Sequence, residues 1–395
     1  MICAAKRIWR PRAAIGGALL IAASLISGCG TASLNSARAL FYAGRFNAAD
    51  EKLSKDGDRG TDRALVLLER GTIRQAAGKY EPSARDFDLA YDEINSMNAI
   101  SISQDTGSMV VNDTVQDYRG EPFERTLMHA IDANNYLGLG KWDDAAVEAR
   151  RITKSLEPDV RGDYPEDAYS RYVAGCCFEL ASDSSAASFE YRKANAVAKG
   201  PHIDDATGKI SASSNQPPPA ASGGDTGELI CFVAMGRSPT GEDLLNGHRA
   251  YGSAPFAEIV ANGRVLGRSI NLADTAHLAF VTAQKEAFRK AAKTVARVAA
   301  KETIAHQLEK QDELLGAVAR LILIGLLERP DTRRWETLPR WLQVARLPCP
   351  RDLREYDVIF RNSNGTEFGR QHIIGPLQRN GQVFVSFCRD ITQRP

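Results

Sequence analysis

What the chain lacks narrows its chemistry first. Its six histidines (His129, His202, His248, His277, His306 and His372) are scattered, with no HExxH or other metal-ligand spacing. The cysteines form no CxxC pair, which argues against a zinc site or a thioredoxin-like site. There is no G-x-S-x-G elbow and no Walker loop. Gly236 to Gly241 suggests a phosphate loop or a nucleophile loop, but it has neither a lysine nor an evident base and reads better as a turn after a strand. These gaps predict no cofactor, no metal and no catalytic residue, so an enzyme is the weakest reading. Basic excess is missing too. Without Lys6, Arg7, Arg10 and Arg12, the chain carries an acidic excess of about three charges, too little positive field to gather nucleic acid. Neither long apolar run, Ala13 to Ile26 or Leu314 to Leu327, reaches the ~20 residues that cross a bilayer, and the second contains Arg320. The second reads as a buried helix, with a membrane-lying helix or a self-association face as the alternatives.

What is present begins with an address. Four basic residues precede the first apolar run, which ends in Leu25-Ile26-Ser27-Gly28-Cys29. This resembles the bacterial lipobox. The resemblance implies that residues 1–28 are a lipoprotein signal peptide, and that Cys29 becomes a lipid-bearing N-terminus anchored by two or more acyl chains, palmitate among them. An ordinary cleaved leader and a short uncleaved anchor are the alternatives. Gly30, rather than aspartate, after the cysteine points to the periplasmic side of the outer membrane.

From residue 29 to 203 the pattern is helical and repetitive. Gly44 and Gly78 lie 34 positions apart, the tetratricopeptide (TPR) period. Superposed registers put Gly44, Gly78, Gly140 and Ser182 at the turns of helix pairs, and Phe46, Tyr80 and Trp142 at an aromatic wedge. Ala37, Gly71, Ala133 and Gly175 take a small position, and Leu53, Phe87, Ala149 and Tyr191 a core position. The reading is a TPR-like array of about four pairs, interrupted by a polar insertion at 95–122. The first helices would line an inner groove displaying Thr72, Arg74, Gln75 and Asn134, suited to an extended peptide or the helix of an envelope protein. A plain solvated face is the alternative. Adjacent Cys176 and Cys177 read as small buried apolar groups.

Residues 204–227 are rich in proline, serine and glycine and read as a linker. Residues 228–395 then predict an α+β domain. Glu228 to Met235 is a buried strand, Phe256 to Ile270 a hairpin about Asn262-Gly263, and Asn271 to Gln311 a long helix. Four short strands follow between Trp341 and Phe387, giving a small β-sandwich-like sheet. Cys349 with Cys388 is the expected pair if a disulfide forms. Just before these strands, Asp331, Arg333, Trp335 and Pro339 mark a structural clasp, in which Asp and Arg pair while Trp docks on the core. A surface recognition motif is the sharper alternative. The fold class is therefore α+β, with a TPR-like α-helical array followed by a C-terminal α+β domain.

Gly120-Glu121-Pro122-Phe123-Glu124-Arg125, Asn134-Asn135-Tyr136-Leu137 with Val147-Glu148-Ala149-Arg150-Arg151, the Asp331 to Pro339 segment and Cys29 together resemble a largely uncharacterised family of proteobacterial envelope lipoproteins with TPR-like N-terminal halves. The resemblance implies no known catalytic residues. It links some relatives to cell-wall synthesis or secretion. Asn135 departs from the aliphatic residue expected at its position. The function expected is a non-catalytic protein-binding scaffold. A structural subunit of a self-associating envelope assembly is the alternative.

Overall fold

The computed structural model describes residues 32–56, 60–104, 117–212, 226–245, 252–287, 289, 331–375 and 377–392. Cys29, the run from Leu314 to Leu327 and the centre of the 95–122 insertion lie outside them. Helices fill the N-terminal half and sheets the C-terminal half. No helix among the described residues is long and apolar enough to cross a membrane.

The helices come as antiparallel pairs: α1 (32–42) with α2 (Phe46–Asp56), α3 (Arg63–Ala76) with α4 (Tyr80–Gln104), α5 (Pro122–Gly138) with α6 (Trp142–Ser155), and, after the short α7 (Pro158–Arg161), α8 (Ala168–Leu180) with α9 (Ser184–Val197). The connections between partners share one conformation. Gly44, Gly78 and Gly140 have φ of +73°, +74° and +70°, and Ser182 takes the same left-handed geometry at +66°. In the pairs α3–α4 and α8–α9 a glycine faces the core position of the partner helix. A Cβ on Gly71 would sit 2.9 Å from the Phe87 ring, and one on Gly175 would sit 2.7 Å from the Tyr191 ring. Where the partner residue is smaller, Leu53 or Ala149, alanine replaces glycine at positions 37 and 133. α4 continues to Gln104, so the first part of the supposed insertion is helix rather than polar loop. Asn135 is fully buried. Its amide donates to Ser83 Oγ (2.9 Å) and Asp132 Oδ1 (3.0 Å), and its oxygen accepts from Gln75 (2.8 Å), so a satisfied polar network takes the place of the expected aliphatic contact.

The supposed linker begins as structure. β1 (His202–Ile203) and β2 (Ile210–Ser211) form a small hairpin beside α9, and β3 (Thr226–Met235) already includes Thr226 and Gly227. After α10 (Gly241–Leu245) come β4 (Phe256–Ala261), β5 (Arg264–Arg268) and β6 (Ile270–Asp274). Asn262 and Gly263, with φ of +51° and +70°, form the turn between β4 and β5. Asn271 to Asp274 is thus strand, and the expected long helix starts only at residue 275, as α11 (275–287). β7 (Trp341–Pro350), β8 (Glu355–Arg361), β9 (Glu367–Ile374), β10 (Gln378–Asn380) and β11 (Val383–Arg389) complete two sheets, ordered β10-β11-β3-β7-β6 and β5-β4-β8-β9. β11 runs parallel to β3, and the other pairings are antiparallel.

Alternation along the strands explains how three layers stack. Leu229, Cys231, Val233 and Met235 of β3 face the four-stranded sheet, while Ile230 and Phe232 join the helical core. β7 divides likewise: Ala345 and Leu347 face one way, Leu342 and Val344 the other. Apolar on both faces, β3 reads as one continuous hydrophobic run. The helical half and the five-stranded sheet therefore share a single core rather than meeting across a linker.

Candidate functional site

Residues 331–339 thread between the two halves, against the first helices of the pairs. Trp335 is completely buried. Its indole N–H donates to Thr72 Oγ1 (3.0 Å), and its ring lies 5.8 Å from that of Phe87. The surrounding main chain is read by side chains. Glu124 accepts the Trp335 amide (3.2 Å), and the two oxygens of Glu69 accept the amides of Glu336 (2.9 Å) and Thr337 (3.1 Å). Arg38 donates to Arg334 O (2.7 Å) and neutralises Glu69 at 2.6 Å, while Tyr42 donates to Glu336 O (2.7 Å). Arg333 pairs with Asp331 (2.7 Å) and Asp62 (2.8 Å), and Arg334 with Glu121. Pro339 O accepts from the Thr275 hydroxyl, and the loop after β3 is tied in through Ser238 N to Leu338 O. Asp331 and Arg333 thus pair and Trp335 sits in the core, the geometry of a clasp.

This segment changes the meaning of the expected groove. Thr72 is spent on Trp335 and on Leu68 O, so it is not a free surface for a partner. Arg74 points among the helices, pairing with Asp50 (2.8 Å) and Asp86 (2.7 Å). Gln75 donates to Ile131 O and Asn135, and buried Asn134 donates to Tyr169 OH (2.8 Å). Asn134 Oδ1 is buried with no hydrogen-bond partner.

Beyond Pro339 the inner face opens into a crevice of about 660 Å³. Thr72, Gln75, Asn134 and Pro339 all line it, whereas Arg74, Asp331, Arg333 and Trp335 do not. The aromatics Tyr80, Tyr169, Phe232 and Phe387 line it, together with residues of β9 and β11. β10 covers only Val383–Val385 of β11, so the edge from Ser386 to Arg389 borders the crevice. β9, the outer strand of its sheet, contributes Gly369 to Ile374. Arg389 anchors the rim: its Nη2 donates to Gly236 O (3.0 Å) and Thr337 O (3.1 Å), and burial pushes its pKa down.

Sequence reasoning missed Glu69, Glu124 and Arg38, the groups that hold the clasp main chain. A signal existed for Glu69: an acidic residue inside the apolar run Leu65 to Ile73, three positions before Thr72 and so on the same helix face. The thiol expectation is corrected as well. Cys231 and Cys388 bring their sulfurs to 3.9 Å. Cys349 lies opposite Gly227 of β3, whereas Cys388 lies opposite Val233, six residues or roughly 20 Å along the strand. Burial pushes the Cys349 thiol up to about 12 and also raises those of Cys176 and Cys177.

One acidic cluster draws notice. Carboxylate oxygens of Asp88, Asp132 and Glu148 lie within 4.8 Å of one another. Arg151 supplies the cation there, bonding Glu148 (2.6 Å) and Asp88 (3.0 Å), and burial followed by the Glu148 charge raises the pKa of Asp132. No protein-family model matches the chain, and no curated protein matches it.

Proposed function

We propose that the chain is a non-catalytic lipoprotein, tethered through Cys29 to the periplasmic side of the outer membrane, that binds extended segments of an envelope protein. The TPR-like reading of the helix pairs belongs to the same proposal. It rests on the recurrent left-handed turns at Gly44, Gly78, Gly140 and Ser182 and on the repeated small-to-large contacts.

The observation that carries the reading is the clasp. The inner helical face already holds residues 331–339, which turn at Trp335 to Leu338, by carboxylates on amides, cations on carbonyls and one buried aromatic anchor. The crevice continues that path past Pro339 between two strand edges. Such edges receive a peptide by β-strand addition, main-chain bonds giving affinity and side-chain pockets giving selection.

A photoreactive residue in place of Arg370, on the exposed rim, tests this. Capture of a different envelope protein supports the scaffold; capture only of a second copy supports a self-associating subunit instead. Failure of labelled palmitate to mark the chain, or to be lost in Cys29→Ser, removes the anchor from the proposal.

A further inference from the structure

A second cavity, of about 210 Å³, lies between α4, the start of α5, the end of α6 and the turn after α7. Its lining is unbalanced in charge. Arg125, Arg151, Lys154 and Arg161 border it, against Asp167 as the one carboxylate among the described residues. That carboxylate is engaged: its two oxygens accept from the Ser170 amide (2.7 Å) and hydroxyl (2.8 Å), capping α8. Two of the cations are matched elsewhere, Arg151 by Glu148 and Asp88, and Arg161 by Glu166 at 3.4 Å. Arg125 and Lys154 form no ion pair among the described residues. Burial pushes the Arg125 pKa down. The nearest carboxylates, Glu121 and Glu124, are committed to Arg334 and Tyr118 and do not reverse that. A half-buried guanidinium with carboxylates nearby but no direct ion pair of its own leaves room for an added anion. The remaining wall includes Tyr91, Phe123, Leu156 and Val160 beside the polar Asn95 and His129, and Thr126 and Ser155 add a hydroxyl pair at 3.0 Å.

We infer that this cavity is a binding site, separate from the crevice, for a small ligand that joins one oxyanion to an apolar body. Arg125 and Lys154 receive the anion and the aromatic wall receives the body. The inference does not depend on what the crevice binds.

Titration calorimetry of the purified full chain with phenyl phosphate, benzoate, inorganic phosphate and neutral benzyl alcohol tests it. At least one aromatic anion should bind saturably, about tenfold tighter than inorganic phosphate, with benzyl alcohol not binding; the tighter of the two anions identifies the head group. Arg125→Gln should weaken that binding at least tenfold and Lys154→Gln about threefold. Saturable binding by neither aromatic anion overturns the inference, as does unchanged affinity in both variants. Should Arg125→Gln fail to fold, the exposed Lys154 decides alone, and unchanged affinity in Lys154→Gln overturns it.

Discussion

Trp335 is the largest fully buried side chain among the described residues. Fully buried, it contacts Phe87 and satisfies its indole N–H on Thr72. Trp335→Ala should cost about 3–5 kcal/mol in a urea titration, the range for removing a large buried aromatic. Thr72→Val keeps the volume but strands the indole donor, and about 1–3 kcal/mol is expected. Together the two changes should fall short of additivity, because they share one contact. Among the thiols, any disulfide that peptide mapping recovers after treatment with glutathione disulfide should join Cys231 to Cys388, whose sulfurs lie 3.9 Å apart, rather than Cys349 to Cys388. A Cys349–Cys388 peptide would contradict the strand register. This segment also shows what the sequence can disclose about a site: charge and aromatics flagged Asp331 to Pro339, but nothing local in it names Glu69 or Glu124, which lie more than two hundred residues away. Long-range partners of a main-chain amide leave no periodic trace.

At the scale of elements, the helix pairs were the most legible part of the fold. Their signal is steric and short-range: a left-handed turn residue, a small residue seven positions earlier and its larger partner. Gly71→Ala and Gly175→Ala make this testable. Alanine exceeds glycine in helix propensity by about 1 kcal/mol. The added Cβ would nonetheless meet Phe87 or Tyr191 under 3.0 Å, so each change should destabilise by about 1–3 kcal/mol. Phe87→Leu combined with Gly71→Ala should recover part of that loss. Arg74 gives a pH-dependent counterpart. Burial opposes ionisation of Asp50, but hydrogen bonds and charge from Arg74 and Lys79 hold its pKa below the usual carboxylate range. A depressed folded pKa contributes stability that is present above the unfolded value, near 3.8, and is lost as pH falls through the folded one. Arg74→Gln should therefore destabilise at pH 7, and the difference from wild type should shrink in acid. Strand boundaries were less legible, because Asn271 to Asp274 carries no alternation of its own and becomes strand only through pairing with β7.

The whole molecule is where sequence reasoning stopped short. A Pro/Ser/Gly stretch suggested two independent domains, yet Ile230, Phe232, Leu342, Val344 and Val385 enter the helical core. Which face of a strand meets which layer is a tertiary fact, invisible until the layers are stacked. The inner helical face was expected to be open for a partner. Instead residues 331–339 fill it, and the open space is displaced to the crevice between helices and strand edges. The most direct test is native-state hydrogen exchange at the amides of Trp335, Glu336 and Thr337. If the clasp is a permanent occupant, these amides should exchange only by global unfolding, at the same opening free energy as the central strand amide of Phe232. Exchange several kcal/mol more easily than Phe232 would mean that the segment leaves the helices on its own, and would contradict the account by returning the inner face to an outside partner.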